Sequence, residues 1–94
     1  MARRRAARVD ENQEHIVFVL RCAGVKVRVL SAVGEGFPDL LTLYKGELRL
    51  VEIKNPRARG KLTAVQEKMA AVWPIFVVND EHEALAAHGI EAVK

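Results

Sequence analysis

The stretch Leu48-Arg49-Leu50-Val51-Glu52-Ile53-Lys54 sets a carboxylate and an ammonium two residues apart inside an otherwise apolar, strand-forming run. It follows the turn-like Lys45-Gly46-Glu47, and its composition predicts a β-strand. Side chains alternate along a strand, so Leu48, Leu50, Glu52 and Lys54 share one face while Arg49, Val51 and Ile53 share the other. Apolar residues on both faces predict an interior strand. Residues two apart stand roughly 7 Å from each other at the backbone, close enough to act on one small target. Charges at the end of such a strand are costly to bury unless something uses them, which makes the pair a functional candidate.

A second carboxylate comes within reach through the hairpin. Leu40-Leu41-Thr42-Leu43-Tyr44 reads as a strand, and residues 45–47 turn it antiparallel onto the first. Counting outward from Gly46 brings Asp39 and Glu52 within one position of each other across the ladder. Two carboxylates on adjacent strands form an oxygen site suited to Mg²⁺, which takes one or two carboxylates, waters and substrate phosphate oxygens. A lysine beside them can stabilise developing charge or orient an attacking water. Taken singly, each residue has an ordinary explanation. Aspartate after proline is a turn residue, and Glu-x-Lys is a solvated strand face. The joint register is what points to chemistry.

The elements that must position these residues follow from capping and periodicity. Asp10 with Gln13 matches a capping box, predicting a helix from there to about Ala23, stopped by Gly24. Ile16, Val17, Val19, Leu20 and Ala23 form its apolar stripe, and Phe18 and Cys22 widen it, predicting a largely covered helix. Glu11 and Glu14 lie on its first turn, where interaction with the helix dipole would explain them. Val25–Leu30 alternates as a strand with one wet face, and Ser31–Pro38, with Gly34 and Gly36, is a loop. Thr63 with Gln66 is a second capping box, opening a helix over Ala64–Val72 that Trp73-Pro74 ends. Ile75–Val78 reads as a short buried strand. Glu81–His88 reads as a last helix capped by Asn79 or Asp80, and residues 90–94 as a short edge strand or a fraying end. The order α-β-β-β-α-β-α predicts an α/β fold, a mixed sheet with flanking helices.

Composition narrows the class. The chain has 94 residues, enough for one core, and is half hydrophobic with few aromatics. No apolar run approaches the ~20 residues of a membrane span, and the basic start lacks the apolar segment of a secretory signal. Cys22 is the single cysteine, so no intrachain disulfide is expected and a cytoplasmic setting fits. Residues 1–9 hold four arginines and read as a flexible basic arm preceding a domain over 10–94. The arm is either a solvated tail or a phosphate-contacting one, and a net charge of +3 permits a polyanionic partner without requiring it. His15, His82 and His88 have no zinc-like spacing among themselves or with Cys22, and are expected on helix surfaces. Trp73 is expected in the core or at an interface.

Gly36-Phe37-Pro38-Asp39 followed by Glu52-Ile53-Lys54 resembles the PD-(D/E)xK nuclease superfamily. The continuation Asn55-Pro56, then Gly60-Lys61-Leu62-Thr63-Ala64-Val65-Gln66, resembles its VRR-NUC (virus-type replication-repair nuclease) branch, over about residues 10–85. The resemblance implies a restriction-endonuclease-like fold and a Mg²⁺-dependent DNA endonuclease, with Mn²⁺ able to substitute and no small-molecule cofactor. Asp39 and Glu52 would be metal ligands, joined by the Ile53 carbonyl; Lys54 would be the catalytic lysine and Gln66 an active-site residue. A first-helix glutamate would complete the set, Glu14 by preference and Glu11 as the alternative. Beside such a site, Arg57, Arg59 and Lys61 are phosphate contacts by preference and a solvated loop as the alternative, and Arg3, Arg4 and Arg5 of the arm would contact DNA. Stand-alone members resemble junction-resolving enzymes, so branched DNA such as a Holliday junction is the expected substrate and a homodimer the expected form. The dimer would pair through the first helix, around Phe18 and Cys22, or through an exposed sheet edge. The expected compartment is the cytoplasm of a bacterial or phage-infected cell. A non-catalytic DNA-binding or assembly module of the same fold, or a non-specific or restriction-like nuclease, are the alternatives.

Overall fold

The computed structural model describes residues 3–34, 36–54 and 62–91, with the side chains of the first helix described from Asn12 onward. The elements are α1 (Arg3–Cys22), β1 (Lys26–Val29), β2 (Leu40–Tyr44), β3 (Glu47–Ile53), α2 (Ala64–Val72), β4 (Ile75–Val78) and α3 (Glu81–Ala87). They make a mixed α/β fold around one four-stranded sheet of order β1-β2-β3-β4. The first three strands are antiparallel, and β4 joins β3 in parallel after the crossover through α2. The β2–β3 turn places Lys45 and Gly46 at positive φ, the conformation a two-residue hairpin demands.

Register fixes which residues share a face. Leu40 lies opposite Val51 and Thr42 opposite Arg49, while Val27 pairs with Thr42 and Ile53 with Val78. This face is covered by α1 and α3, which also touch each other. Ile16 and Leu20 of α1 meet Val27, Leu40, Val51, Val78 and Ala84 in one buried cluster. The opposite face carries Leu41, Leu43, Leu48, Leu50, Glu52, Ile75 and Val77, and α2 lies over its β3–β4 side through Gln66 and Ala70.

Four sequence expectations change. The first helix begins at Arg3 rather than near Asp10, so the backbone of residues 3–9 is helical and not an extended arm. Arginine and alanine are strong helix formers, and they carry the helix through Asp10, which is therefore no cap. That helix is also less covered than its stripe implies: Phe18 is 64% exposed and Cys22 is exposed, because sheet and α3 meet only the Ile16–Leu20 side. The strand β4 is an edge, with Phe76 exposed, since no further strand follows it among the described residues. His88 is buried rather than on a helix surface. Its Nε2 lies 2.6 Å from Thr42 Oγ1 and its Nδ1 lies 2.8 Å from the Ala84 carbonyl, so the ring bridges α3 to the middle of the sheet. Burial holds its pKa below the usual imidazole value, and the Arg49 charge pushes the same way. His15 and His82 do lie on the surface, both facing Glu81. Among the described residues no helix is long and apolar enough to cross a membrane.

Candidate active site

The site forms where β2 begins and β3 ends. Pro38 is buried, and Asp39 stands one step beyond the last paired position of β2. The register carried outward sets Asp39 beside Glu52, on the sheet face away from α1 and α3. The hairpin count therefore holds. Asp39 Oδ2 accepts the Ile53 N–H at 2.8 Å, which locks the carboxylate against the end of β3. The same register sets Ile53 opposite Pro38, and proline has no N–H, so the ladder offers no donor to the Ile53 carbonyl. An oxygen left over in this way beside two carboxylates is where a hard cation finds a further ligand.

Glu52 is only 7% exposed. Its carboxyl is pushed up to about 7, by burial first and by the Asp39 charge second, while the Asp39 backbone N–H opposes the shift. Asp39 is raised as well, by burial, against the hydrogen bonds from Ile53 and Ser31. Two neighbouring carboxylates whose charge is disfavoured in this way suit a cation that compensates both.

The helix α2 holds Glu52 from the other side. Thr63 and Gln66 form the capping box expected from sequence: the Gln66 N–H donates to Thr63 Oγ1 at 3.1 Å and the Thr63 N–H donates to Gln66 Oε1 at 2.9 Å. Because Oε1 is occupied by the cap, the amide turns its Nε2 outward, where it donates to Glu52 Oε2 at 2.7 Å. One glutamine thus starts the helix and orients the site carboxylate. Gly36, at φ +77°, packs against Val65, and a Cβ there would collide with that side chain. The glycine lets residues 36–38 and α2 come together beside Glu52.

Lys54 is half-buried, and its N–H continues the β3–β4 ladder by donating to the Val78 carbonyl at 2.8 Å. The alternation therefore keeps Lys54 on the Glu52 face. Glu14 is exposed and lines a groove with Val17, Phe18, Cys22 and Val29, apart from the carboxylate pair. Its neighbour Gln13 is the α1 residue that turns inward: Ser31 Oγ donates to Gln13 Oε1 at 2.7 Å and lies 3.4 Å from Asp39 Oδ1. Neither Gln13 nor Ser31 was expected at the site. The buried side of α1 was the available signal for Gln13, obscured by its apparent role as a capping partner of Asp10. Trp73 is half exposed just past α2. Glu11, Arg3, Arg4 and Arg5 have side chains outside the described residues, and Arg57, Arg59 and Lys61 lie wholly outside them.

Asp39, Glu52 and the Ile53 carbonyl fit a Mg²⁺ site of the two-carboxylate kind, because the donors are all oxygen and no ion pair to either carboxylate is present among the described residues. Among the described residues no third His, Cys, Asp or Glu joins them, so water and substrate oxygens would fill the remaining positions. No family model, curated protein or solved structure matches this chain.

Proposed function

We propose that the chain is a Mg²⁺-dependent DNA endonuclease of restriction-endonuclease-like, VRR-NUC type, acting on branched DNA as a homodimer. The observation that carries this reading is the Asp39–Glu52 pair, both raised in pKa, with Glu52 buried and oriented by Gln66 and half-buried Asp39 held by the Ile53 N–H, at the end of the strand that leads into Lys54. Bound Mg²⁺ would supply Lewis-acid activation of water and of the scissile phosphate. Asp39 is held rigidly by the Ile53 N–H, and Glu52 is held by Gln66, so both oxygens are set before substrate arrives. Lys54 places a positive charge on the same face, where it can stabilise the charge developing on phosphate oxygens. Arg57, Arg59, Lys61 and the arginines of the first helical turn would contact the DNA backbone.

One observation favours the alternative of a non-catalytic DNA-binding module. The first-helix side chain joined to Asp39 is the neutral Gln13 and not a glutamate. A single assay separates the two readings: purified protein with Mg²⁺ on branched, flapped and linear DNA. The nuclease reading expects cleavage, strongest on branched substrates and lost in EDTA. Binding of DNA without cleavage of any substrate, with Mg²⁺ or Mn²⁺, would leave only the module.

A further inference from the structure

Among the described residues, only part of the sheet face that carries Glu52 is covered. The helix α2 lies over Glu52, Ile75 and Val77, whereas the β1–β2 side of that face is an open groove of about 640 Å³. Leu41, Leu43 and Leu48 form its floor, and Leu48 is 69% exposed. Lys26, Arg28 and Arg21 rim it, and no acidic residue lines it among the described residues. Lys26 pairs with Leu43 and Arg28 with Leu41, so both cations lie on the same face as Asp39 and Glu52. The Arg28 row is two residues along the strands from the Asp39–Glu52 row, about 6.8 Å. Lys26 lies a further two residues out along the same strand.

We propose that this groove is a track for an unpaired nucleic-acid strand, its phosphates on Lys26 and Arg28 and its bases on the leucine floor, leading to the carboxylate pair. The proposal rests on the nuclease reading and adds to it the preference for a single-stranded arm. Charge selects the occupant. A second copy docked through the same groove by a two-fold axis would bring its cations against the same cations. A polyanion relieves them. The leucine floor then distinguishes single strand from duplex, because stacked base pairs hide the apolar base faces that an unpaired strand exposes. Since α2 occupies the other half of the face, a strand reaching Asp39 and Glu52 has this side by which to leave.

The test is fluorescence anisotropy of labelled oligothymidine and of a duplex of equal length. It is run in EDTA with the full chain, as wild type, as Lys26→Ala/Arg28→Ala, and as Leu48→Asp. All three positions are surface residues, and circular dichroism checks that the variants fold. The double variant should bind oligothymidine about tenfold more weakly, with a salt slope lower by about 1.4, since each single-strand phosphate contact contributes about 0.7. Leu48→Asp should weaken oligothymidine binding and leave duplex binding within about twofold. Affinity and slope unchanged in the double variant would overturn the track. So would polyglutamate competing as well as oligothymidine, or a wild-type dimer that Leu48→Asp splits without loss of DNA binding. Cleavage of branched DNA in Mg²⁺, measured on the same wild-type sample, keeps the two ideas apart. Groove-dependent binding without cleavage removes the nuclease and retains the track; cleavage with groove-independent binding does the reverse.

Discussion

Val51 and Glu52 are neighbours in β3, yet they belong to different halves of the molecule. Val51 faces α1 and α3 and is fully buried among Ile16, Leu20, Leu40 and Val78. Glu52 faces α2, a helix with no buried residue of its own, beside the exposed Val65, Val72 and Trp73. One step along a strand crosses from a packed apolar core to a half-open face that holds charge. Period-two alternation thus lets a small domain concentrate its packing on one side of a sheet and its strained electrostatics on the other.

Substitutions on the two faces should differ accordingly. The largest loss of stability is expected from Leu20→Ala, which empties a fully buried position: about 2–5 kcal/mol by urea denaturation. His88→Ala comes next, at about 2–3 kcal/mol, since it removes both the Thr42 bridge and the Ala84 contact from a buried site. His88 also gives the core face a pH signature. Its folded pKa lies below the unfolded value of 6.5, so its contribution is complete above pH 6.5 and is lost as pH falls toward the lowered value. Glu52 shifts stability the opposite way over the same range in both proteins, so the loss is read as a difference: in thermal melts across pH 7 to 5, wild type should lose part of its advantage over His88→Ala as pH falls. Gln66→Ala should cost about 1 kcal/mol through the capping box. Its main sign should be faster amide exchange confined to α2, with α1 and α3 unaffected. Val72→Ala, at a position 78% exposed, should stay within about 0.5 kcal/mol. A Val72 effect as large as that of Leu20 would break the distinction between the faces.

What could be read from the sequence was what depends on neighbours along the chain. The α2 capping box needs only Thr63 and Gln66, and the Asp39–Glu52 adjacency needs only a turn at Gly46 and a count. The Ile53 carbonyl came only from the family resemblance; that Pro38, opposite it, has no N–H to donate follows from the observed register. Contacts between distant segments were not legible. His88 lies far from Thr42 in sequence, and nothing local distinguishes it from the exposed His82. The Gln13–Ser31–Asp39 chain joins a helix, a loop and a strand end, and a plausible capping pattern at Asp10 hid it. The start of α1 was missed because an arginine-rich segment is both a good helix and a good tail, and charge alone does not choose.

The measurement that bears most directly on the site is a paired reading of one variant, Glu52→Gln, for stability and for cleavage. Glu52 titrates near 7 when folded and 4.5 when unfolded, so the folded state holds the proton more tightly. Its destabilising effect is absent below pH 4.5, grows as pH rises and is complete above pH 7. Removing the charge, with the amide still able to meet Gln66, should stabilise the metal-free protein at pH 8 by on the order of 2 kcal/mol and change nothing at pH 4. The same substitution should lower Mg²⁺-dependent cleavage of branched DNA at pH 8 by about 10²-fold or more. A more stable protein that no longer cuts is the predicted result. A variant that cuts as well as wild type, or that is less stable at pH 8 than wild type, would contradict the assignment of Glu52 as a charge kept for chemistry.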